Sequence, residues 1–379
     1  VAMQFDRERL KRLHKEVWSL GIHEYILTDH ETMWRDDYES LSFRTDGAPR
    51  KGGDAGLLNY SRFIRDELGW LYGPYTNYFD LPTINRHFSF NHVSLGADGR
   101  PVAGWFRCYA PKPAWVVGTA LEISHKLRRK FAYNTSYSDV ITALPPWSRV
   151  DFDSRSPGAA TFGQSFYAYG QLLQESREAL EGPVFSEGNF QWLYAGLGDG
   201  SYGQDKAYGL DANPWVVDFA LRRIQPLEIS IGLGQPYMFF FGSPHVTRVP
   251  DAETPYEEKE RHLDRMLTGT VAFGHAPIHI FNERALLMRN YYLLQQLSSA
   301  SASSRISDIQ YFDGSHWIGS SEAILSGAAF NSQIKLVYRN GLTVLLNGNR
   351  ATAYSAEMMG EKFDFPPNSF VGFDAERKL

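Results

Sequence analysis

Two segments decide how this chain folds: FAYNTSYSDVITALPPWSRVDFDSRSPG, residues 131–158, and EGPVFSEGNF, residues 181–190. Each contains a short run that ends in an acid, Tyr137-Ser138-Asp139-Val140 in the first and Ser186-Glu187-Gly188 in the second. Between them, Phe162, Phe166, Tyr169, Leu173 and Leu180 recur at helical spacing. The sum is a strand–helix–strand unit with one carboxyl at the end of each strand. Strands joined this way pair in parallel, so both ends point the same way. If the two strands are neighbours, Asp139 and Glu187 open onto one cleft.

The same unit repeats towards the N-terminus. Asp6 is placed to cap a helix carrying Leu10, Leu13, Val17 and Leu20, which Gly21 stops. Ile22 to Leu27 then reads as a buried strand running into Thr28-Asp29-His30-Glu31. A helix from Leu57 to Leu68 is stopped by Gly69, and a strand from Trp70 to Tyr75 runs into Thr76-Asn77-Tyr78-Phe79-Asp80. A third helix, Gly118 to Phe131, leads into the central unit. Helix, strand and long polar loop thus alternate, which predicts a parallel sheet. Loops after strands are long and rich in His, Asp, Asn, Tyr and Trp, whereas connections after helices are short. That asymmetry predicts an α/β fold of the (β/α)8 type, with its site at the strand C-termini. A doubly wound sheet is the alternative, but no strand is followed by the Gly-rich turn such sheets usually carry.

Beyond Glu187 the pattern weakens. Pro214 to Leu221 and His262 to Leu267 read as helical, Tyr237 to Gly242 as a strand, and Asn282 to Leu297 as a last helix. Ser298 to Ser304 has linker composition. Ile334 to Tyr338 and Leu342 to Leu346 flank Asn340-Gly341, a strong hairpin signal. The expected organisation is a barrel over residues 1–299 and a small antiparallel β domain over residues 305–379. The chain opens directly on a helix pattern, so further sequence, including the first barrel strand, is expected before Val1.

Composition narrows the function classes. The chain has 379 residues, 43% hydrophobic and 21% charged, with a net charge of −5. The only basic run is Lys126 to Lys130, at the end of a helix where cations suit the dipole. Nucleic acid and anionic membranes are therefore poor partners, and no apolar run of ~18 residues is present to span a bilayer. The single cysteine, Cys108, excludes an internal disulfide and a thiolate zinc cluster. Aromatic residues make up 15% of the chain, with 21 Tyr and 9 Trp, many in loops beside Gly, Asp and Asn. Large aromatic faces beside polar hydrogen-bonding groups suit sugar rings, although a large core uses aromatics too.

Two carboxyls across a cleft are what acid-assisted displacement at a sugar carbon needs. Asp139, at a strand end, is placed to attack; Tyr137, two residues earlier, shares its face of the strand. Capping of the next turn remains the other reading of Asp139. Glu187, behind Val184-Phe185 and before the permissive Gly188, is placed as the acid; pairing with an Arg remains open. Asp29 and His30, Tyr75 and Asn77 hold the strand-end positions expected to bond sugar hydroxyls. Trp147, stiffened by Pro145-Pro146, is a candidate stacking platform, with Asp151 and Arg155 as hydroxyl partners or as a self-contained loop pair. Trp192 and His275 complete the candidate lining. Asp29-His30-Glu31 lacks metal-site spacing, and His275 and His279 flank Pro277, so no metal is expected.

A strand ending Tyr-x-Asp-Val, an Asp-rich loop, and Ser-Glu-Gly on the following strand resemble the endo-α-N-acetylgalactosaminidases. They also resemble the related α-N-acetylgalactosaminidase and anhydrogalactosidase families of retaining glycosidases. The resemblance covers roughly Ile22 to Trp192. It implies that Asp139 is the nucleophile and Glu187 the acid/base, acting without a cofactor on a carbohydrate with an α-linked galactose-type sugar. It also implies β-sandwich domains flanking the barrel and a secreted or periplasmic location. Two further readings stay open: a glycan-binding barrel without catalysis, and a metal-dependent hydrolase centred on Asp29, His30 and His275.

Overall fold

A computed structural model describes residues 7–29, 42–188, 190–202, 255–274, 284–302 and 304–374. These fall in two compact units, Val1–Ser201 and Tyr202–Leu379.

The first unit is built from the alternation seen in the sequence. Helix α1, Arg7–Ser19, buries Val17 and His14 and leads to strand β1, Ile26–Asp29. That strand begins later than Ile22, and Ile22 itself is fully buried just ahead of it. Helix α2, Gly53–Arg62, buries Leu57 and Tyr60, and a π-helical turn, Phe63–Glu67, extends it towards strand β2, Leu71–Asn77. Helix α3, Pro113–Phe131, starts on a proline, which suits a position whose N–H needs no partner. It packs Val116, Ala120, Ile123, Leu127 and Phe131 inward, then ends on Ala132 in the left-handed region. Strand β3 is Ser136–Asp139, helix α4 Phe162–Leu180, strand β4 Val184–Glu187 and strand β5 Gly200–Tyr202. The side chain of Thr161 caps α4 by accepting from the Gln164 N–H.

The five strands lie side by side in chain order, β1-β2-β3-β4-β5, and the pairs from β1 to β4 are parallel. A doubly wound sheet reverses direction about its first strand. Among the described strands no reversal occurs, so the winding is that of a barrel-type sheet. Close approach at its base depends on two glycines. A Cβ on Gly73 would lie 1.7 Å from the Thr135 carbonyl oxygen, and one on Gly182 1.9 Å from that of Asn134. Asn134 strengthens the same junction by accepting from the Tyr72 N–H through its side chain at 2.8 Å.

The second unit joins two helices to an antiparallel sheet. Helices α5, Tyr256–Phe273, and α6, Arg284–Ala302, precede strands β6, Ile306–Phe312, and β7, Trp317–Gly319. After a short helix α7, Ser320–Ser326, come β8, Gln333–Tyr338; β9, Thr343–Asn347; β10, Tyr354–Met358; β11, Glu361–Phe365; and β12, Ser369–Phe373. The sheet order is β12-β9-β8-β6-β7, with β10 and β11 forming a separate hairpin. The β8–β9 hairpin turns at Asn340-Gly341, where Gly341 takes φ 90°, as its sequence signal requires. Alternate side chains of the sheet feed two cores. Ile309, Leu336, Val344 and Leu346 pack with Met266 and Leu267 of α5 and Leu294 and Leu297 of α6. Leu345, Val371 and Phe373 pack under Tyr354, Ala356 and Phe365.

The serine-rich stretch read as a linker is corrected here: residues 298–302 are the end of α6. Leu294 and Leu297 anchor its last apolar turns in the core, and burial outweighs the weak helix preference of serine. The segments 214–221 and 237–242 lie outside the described residues, and the helix read at His262–Leu267 falls inside α5. No helix among the described residues is long and apolar enough to cross a membrane.

Candidate active site

Three neighbouring parallel strands end in one row. Asn77 of β2 is opposite Asp139 of β3, and Ser138 of β3 is opposite Ser186 of β4. The pairing of β3 with β4 ends there, and one residue further along the same register would set Asp139 beside Glu187. Neighbouring strands run ~4.8 Å apart, and alternate side chains share a face. Asn77, Asp139 and Glu187 therefore form one row on one face, with Tyr75, Tyr137 and Phe185 in the row beneath.

Hydrogen bonds converge on Asp139. The Tyr75 hydroxyl donates to Oδ2, and Asn77 Nδ2 lies 3.5 Å from the same oxygen. The Tyr137 hydroxyl is 3.5 Å from Oδ1. The two phenol rings stack with centroids 5.7 Å apart, so each fixes the other beneath the carboxylate. Asp139 and Glu187 are both partly exposed at the C-terminal ends of β3 and β4, where a ligand can reach them.

The chain leaves Asp139 through a strained turn. Ile141 N–H donates back to the Asp139 carbonyl at 2.9 Å, a γ-turn centred on Val140 at φ 66°. A β-branched residue rarely adopts this conformation, and such strain, ~1–3 kcal/mol, gathers where the surrounding structure holds it for function.

Beside Asp139, Asn77 opens a second network. Its Oδ1 accepts from the N–H groups of Phe79 and Asp80, each at 2.9 Å, and its Nδ2 lies 3.3 Å from Asp80 Oδ2. Asp80 is almost fully buried and accepts from the Trp105 N–H at 2.8 Å and from Arg149 at 3.3 Å. The Arg149 guanidinium sits 4.6 Å above the Phe79 ring and donates to the Ala103 carbonyl at 2.9 Å. The sequence offered no signal for Arg149, which is 69 residues from its carboxylate partner.

Other residues singled out in the sequence are placed elsewhere. Asp29 pairs in register with Pro74, which lies on the face opposite to Tyr75 and Asn77. It is buried towards the helices and accepts from the Tyr72 hydroxyl. Burial raises its pKa to about 6, against the pull of the Tyr72 hydrogen bond and the Arg7 charge. Asp151 is fully buried and accepts from the Leu95 and Asp153 N–H groups and the Ser156 hydroxyl, so it organises its own loop and joins it to the segment at Leu95. Arg155 pairs with Asp153 rather than Asp151, and Asp153 also holds the buried Lys112. Hydrogen bonds from Arg155 and Lys112 keep the Asp153 carboxyl well below the usual range. The loop is thus held by its own Asp153–Arg155 pair and tied to Leu95 and Lys112 of the preceding segments.

Trp147 is 54% exposed. Its indole lies edge-on to Phe190 at 5.8 Å and tilted to Phe162 at 6.0 Å. Phe190 belongs to the loop that follows Glu187, so the exposed indole borders that loop. His30 and His275 lie outside the described residues, as does the side chain of Trp192. Among the described residues no three His, Cys, Asp or Glu side chains are grouped to hold a metal ion.

No family model matches the sequence, and neither does any curated protein. Solved structures do match the fold. An α-N-acetylgalactosaminidase from Bifidobacterium bifidum, in complex with GalNAc, aligns with a TM-score of 0.64 at 14% identity, over 90% of this chain and 51% of that chain. A GH36 α-galactosidase from Geobacillus stearothermophilus aligns with a TM-score of 0.57 at 12% identity, over 94% of this chain and 48% of that one. The chain spans about half the length of each. The α-N-acetylgalactosaminidase resemblance carried by Asp139 and Ser186-Glu187-Gly188 is thus met by a likeness of fold, at identities that speak for the fold alone.

Proposed function

We propose that the chain carries the catalytic part of a retaining glycoside hydrolase acting on an α-linked galactose-type sugar, either galactose, N-acetylgalactosamine or anhydrogalactose. The observation that carries this reading is Asp139, gripped by Tyr75, in one row with Glu187 at the ends of neighbouring parallel strands. Retaining enzymes need two carboxyls ~5–5.5 Å apart. That is the spacing scale of neighbouring strands. The likeness of fold to an α-N-acetylgalactosaminidase and an α-galactosidase supports the sugar class. The same reading takes the parallel sheet as part of a (β/α)8 barrel in the full-length protein.

In the first step the Asp139 carboxylate attacks the anomeric carbon while the bond to the leaving oxygen breaks and Glu187 gives that oxygen its proton. Tyr75 and Asn77 hold the attacking carboxylate, so that little reorganisation is needed. In the second step Glu187, now a carboxylate, takes a proton from water. The water oxygen attacks the same carbon, and the ester to Asp139 breaks. Two inversions leave the configuration retained.

The test is turnover of α-linked aryl galactosides and N-acetylgalactosaminides by the full-length protein, beside Asp139→Asn and Glu187→Gln. Loss of at least ~10³-fold in the first variant, with the α-anomer released first by the parent, is the expected result. Activity surviving in Asp139→Asn removes that residue from the role. Glycan binding without turnover, unaffected by either substitution, overturns the enzyme reading in favour of a glycan-binding barrel.

A further inference from the structure

Thr142 lies three residues beyond Asp139 and bonds to both sides of Glu187. Its N–H donates to Ser186 Oγ at 3.3 Å, its hydroxyl donates to the Glu187 carbonyl, and its carbonyl accepts from the Phe190 N–H at 2.7 Å. Ser186 Oγ donates in turn to the Ser138 carbonyl at 2.6 Å, and Ser201 Oγ to the Ser186 carbonyl at 2.9 Å. Ser138, Thr142, Ser186 and Ser201 are all buried. The γ-turn at Val140 is what bends the chain so that Thr142 comes back across the end of β4.

We propose that Thr142 is a positioning residue that fixes the backbone of the acid, Glu187, relative to the nucleophile, Asp139. This rests on the function proposed above and deepens it. A polar residue buried at a strand end can serve the fold alone. Thr142 differs in that its N–H, hydroxyl and carbonyl each reach one of residues 186, 187 and 190, the hydroxyl also lying 3.1 Å from Ser201 Oγ, and its own backbone leads directly from Asp139. Thr142 thereby ties the backbone around one acid to the chain that leaves the other. An acid displaced by ~1 Å loses about 100-fold in efficiency. The left-handed Val140 is the device that makes this contact.

The test uses the dependence of rate on the leaving group. An acid matters to a leaving group that needs a proton and little to one that departs as a stable anion. Thr142→Val keeps the shape and removes the hydroxyl. In the full-length protein it should lower kcat/KM about 10–100-fold for an aryl glycoside with a poor phenol leaving group. For a dinitrophenyl glycoside the loss should stay within about 3-fold. Thr142→Ser, which restores the hydroxyl, should return the parent's dependence. A structural role alone would lower both rates together with Tm. If Thr142→Val does not fold, Ser186→Ala removes the acceptor of the Thr142 N–H and carries the same test, with the same direction expected. An unchanged leaving-group dependence overturns the proposal. Glu187→Gln separates the two levels. If it steepens the dependence and Thr142→Val does not, only the role of Thr142 falls; if Glu187→Gln leaves the dependence flat, the acid assignment falls with it.

Discussion

The Tyr75 hydroxyl donates to Oδ2 of Asp139 from the neighbouring strand, one row below it on the same face of the sheet. A hydrogen bond to a charged group contributes ~1.5–3 kcal/mol. Tyr75→Phe keeps the ring stacked on Tyr137 and deletes only this donor. Its kcat/KM should fall about 10–150-fold as the carboxylate loses its hold, with a stability loss of at most about 1.5–3 kcal/mol from the same bond. Steady-state kinetics beside a thermal melt checks this. A parent-like kcat/KM would mean that Tyr75 does not hold the reacting carboxylate.

Asp80 links the row of strand ends to the loop beyond it, through Asn77 on one side and Arg149 on the other. Removing one member of a buried pair leaves the other charge uncompensated and costs about 3–5 kcal/mol. Asp80→Ala should therefore destabilise the first unit by about that much, towards the lower end because Arg149 keeps the Ala103 carbonyl and the Phe79 ring. Asp80→Asn, which keeps the hydrogen-bonding shape, should lose less. Urea melts of both variants decide it; equal and small losses would show that the pair adds little to the fold.

Trp147 presents an exposed indole next to Phe190, on the loop after Glu187. If it stacks on the part of the substrate beyond the cleaved bond, Trp147→Ala should raise KM about 10-fold for glycosides with a sugar or ring there. Small α-glycosides should be hardly affected, and because the side chain is largely exposed, Tm should move little. A KM unchanged across both substrate kinds would take Trp147 out of the binding surface.

Much of this arrangement is legible in the sequence, and the limits have physical causes. Helix, glycine and strand alternate, which predicts a parallel sheet. The acids of Tyr137-Ser138-Asp139 and Ser186-Glu187-Gly188 stand at strand ends because the polar residues follow the apolar runs directly. Which face a strand-end residue takes depends on register, and a shift of one residue exchanges the faces. That is why Asp29, read as a site residue, is on the opposite face from Asn77. Partners separated by long loops, such as Arg149 and Asp80 or Lys112 and Asp153, leave no local trace because only the folded path brings them together. Thr142 also escaped notice, since nothing in Val140-Ile141-Thr142 announces a left-handed turn.

Asp29 gives a pH signature that belongs to stability rather than catalysis. It is buried beside Tyr72, and burial raises its pKa from 3.8 to about 6. Between those two values the folded state holds a proton on Asp29 that the unfolded chain has released. Folding is then favoured by protonation, so the contribution of Asp29 is fully present below about pH 3.8 and declines as pH rises towards 6. Above that window the charged carboxylate leaves the fold about 3 kcal/mol less stable than it would be with an unperturbed acid. Asp29→Asn has no such titration and can still accept from Tyr72. Stability measured by urea melts at about pH 4 and about pH 7 should show the parent losing ground to the variant by about 2 kcal/mol over that range. Parallel curves for the two proteins would show that Asp29 titrates in the fold as it does in the unfolded chain, and that burial does not set its charge.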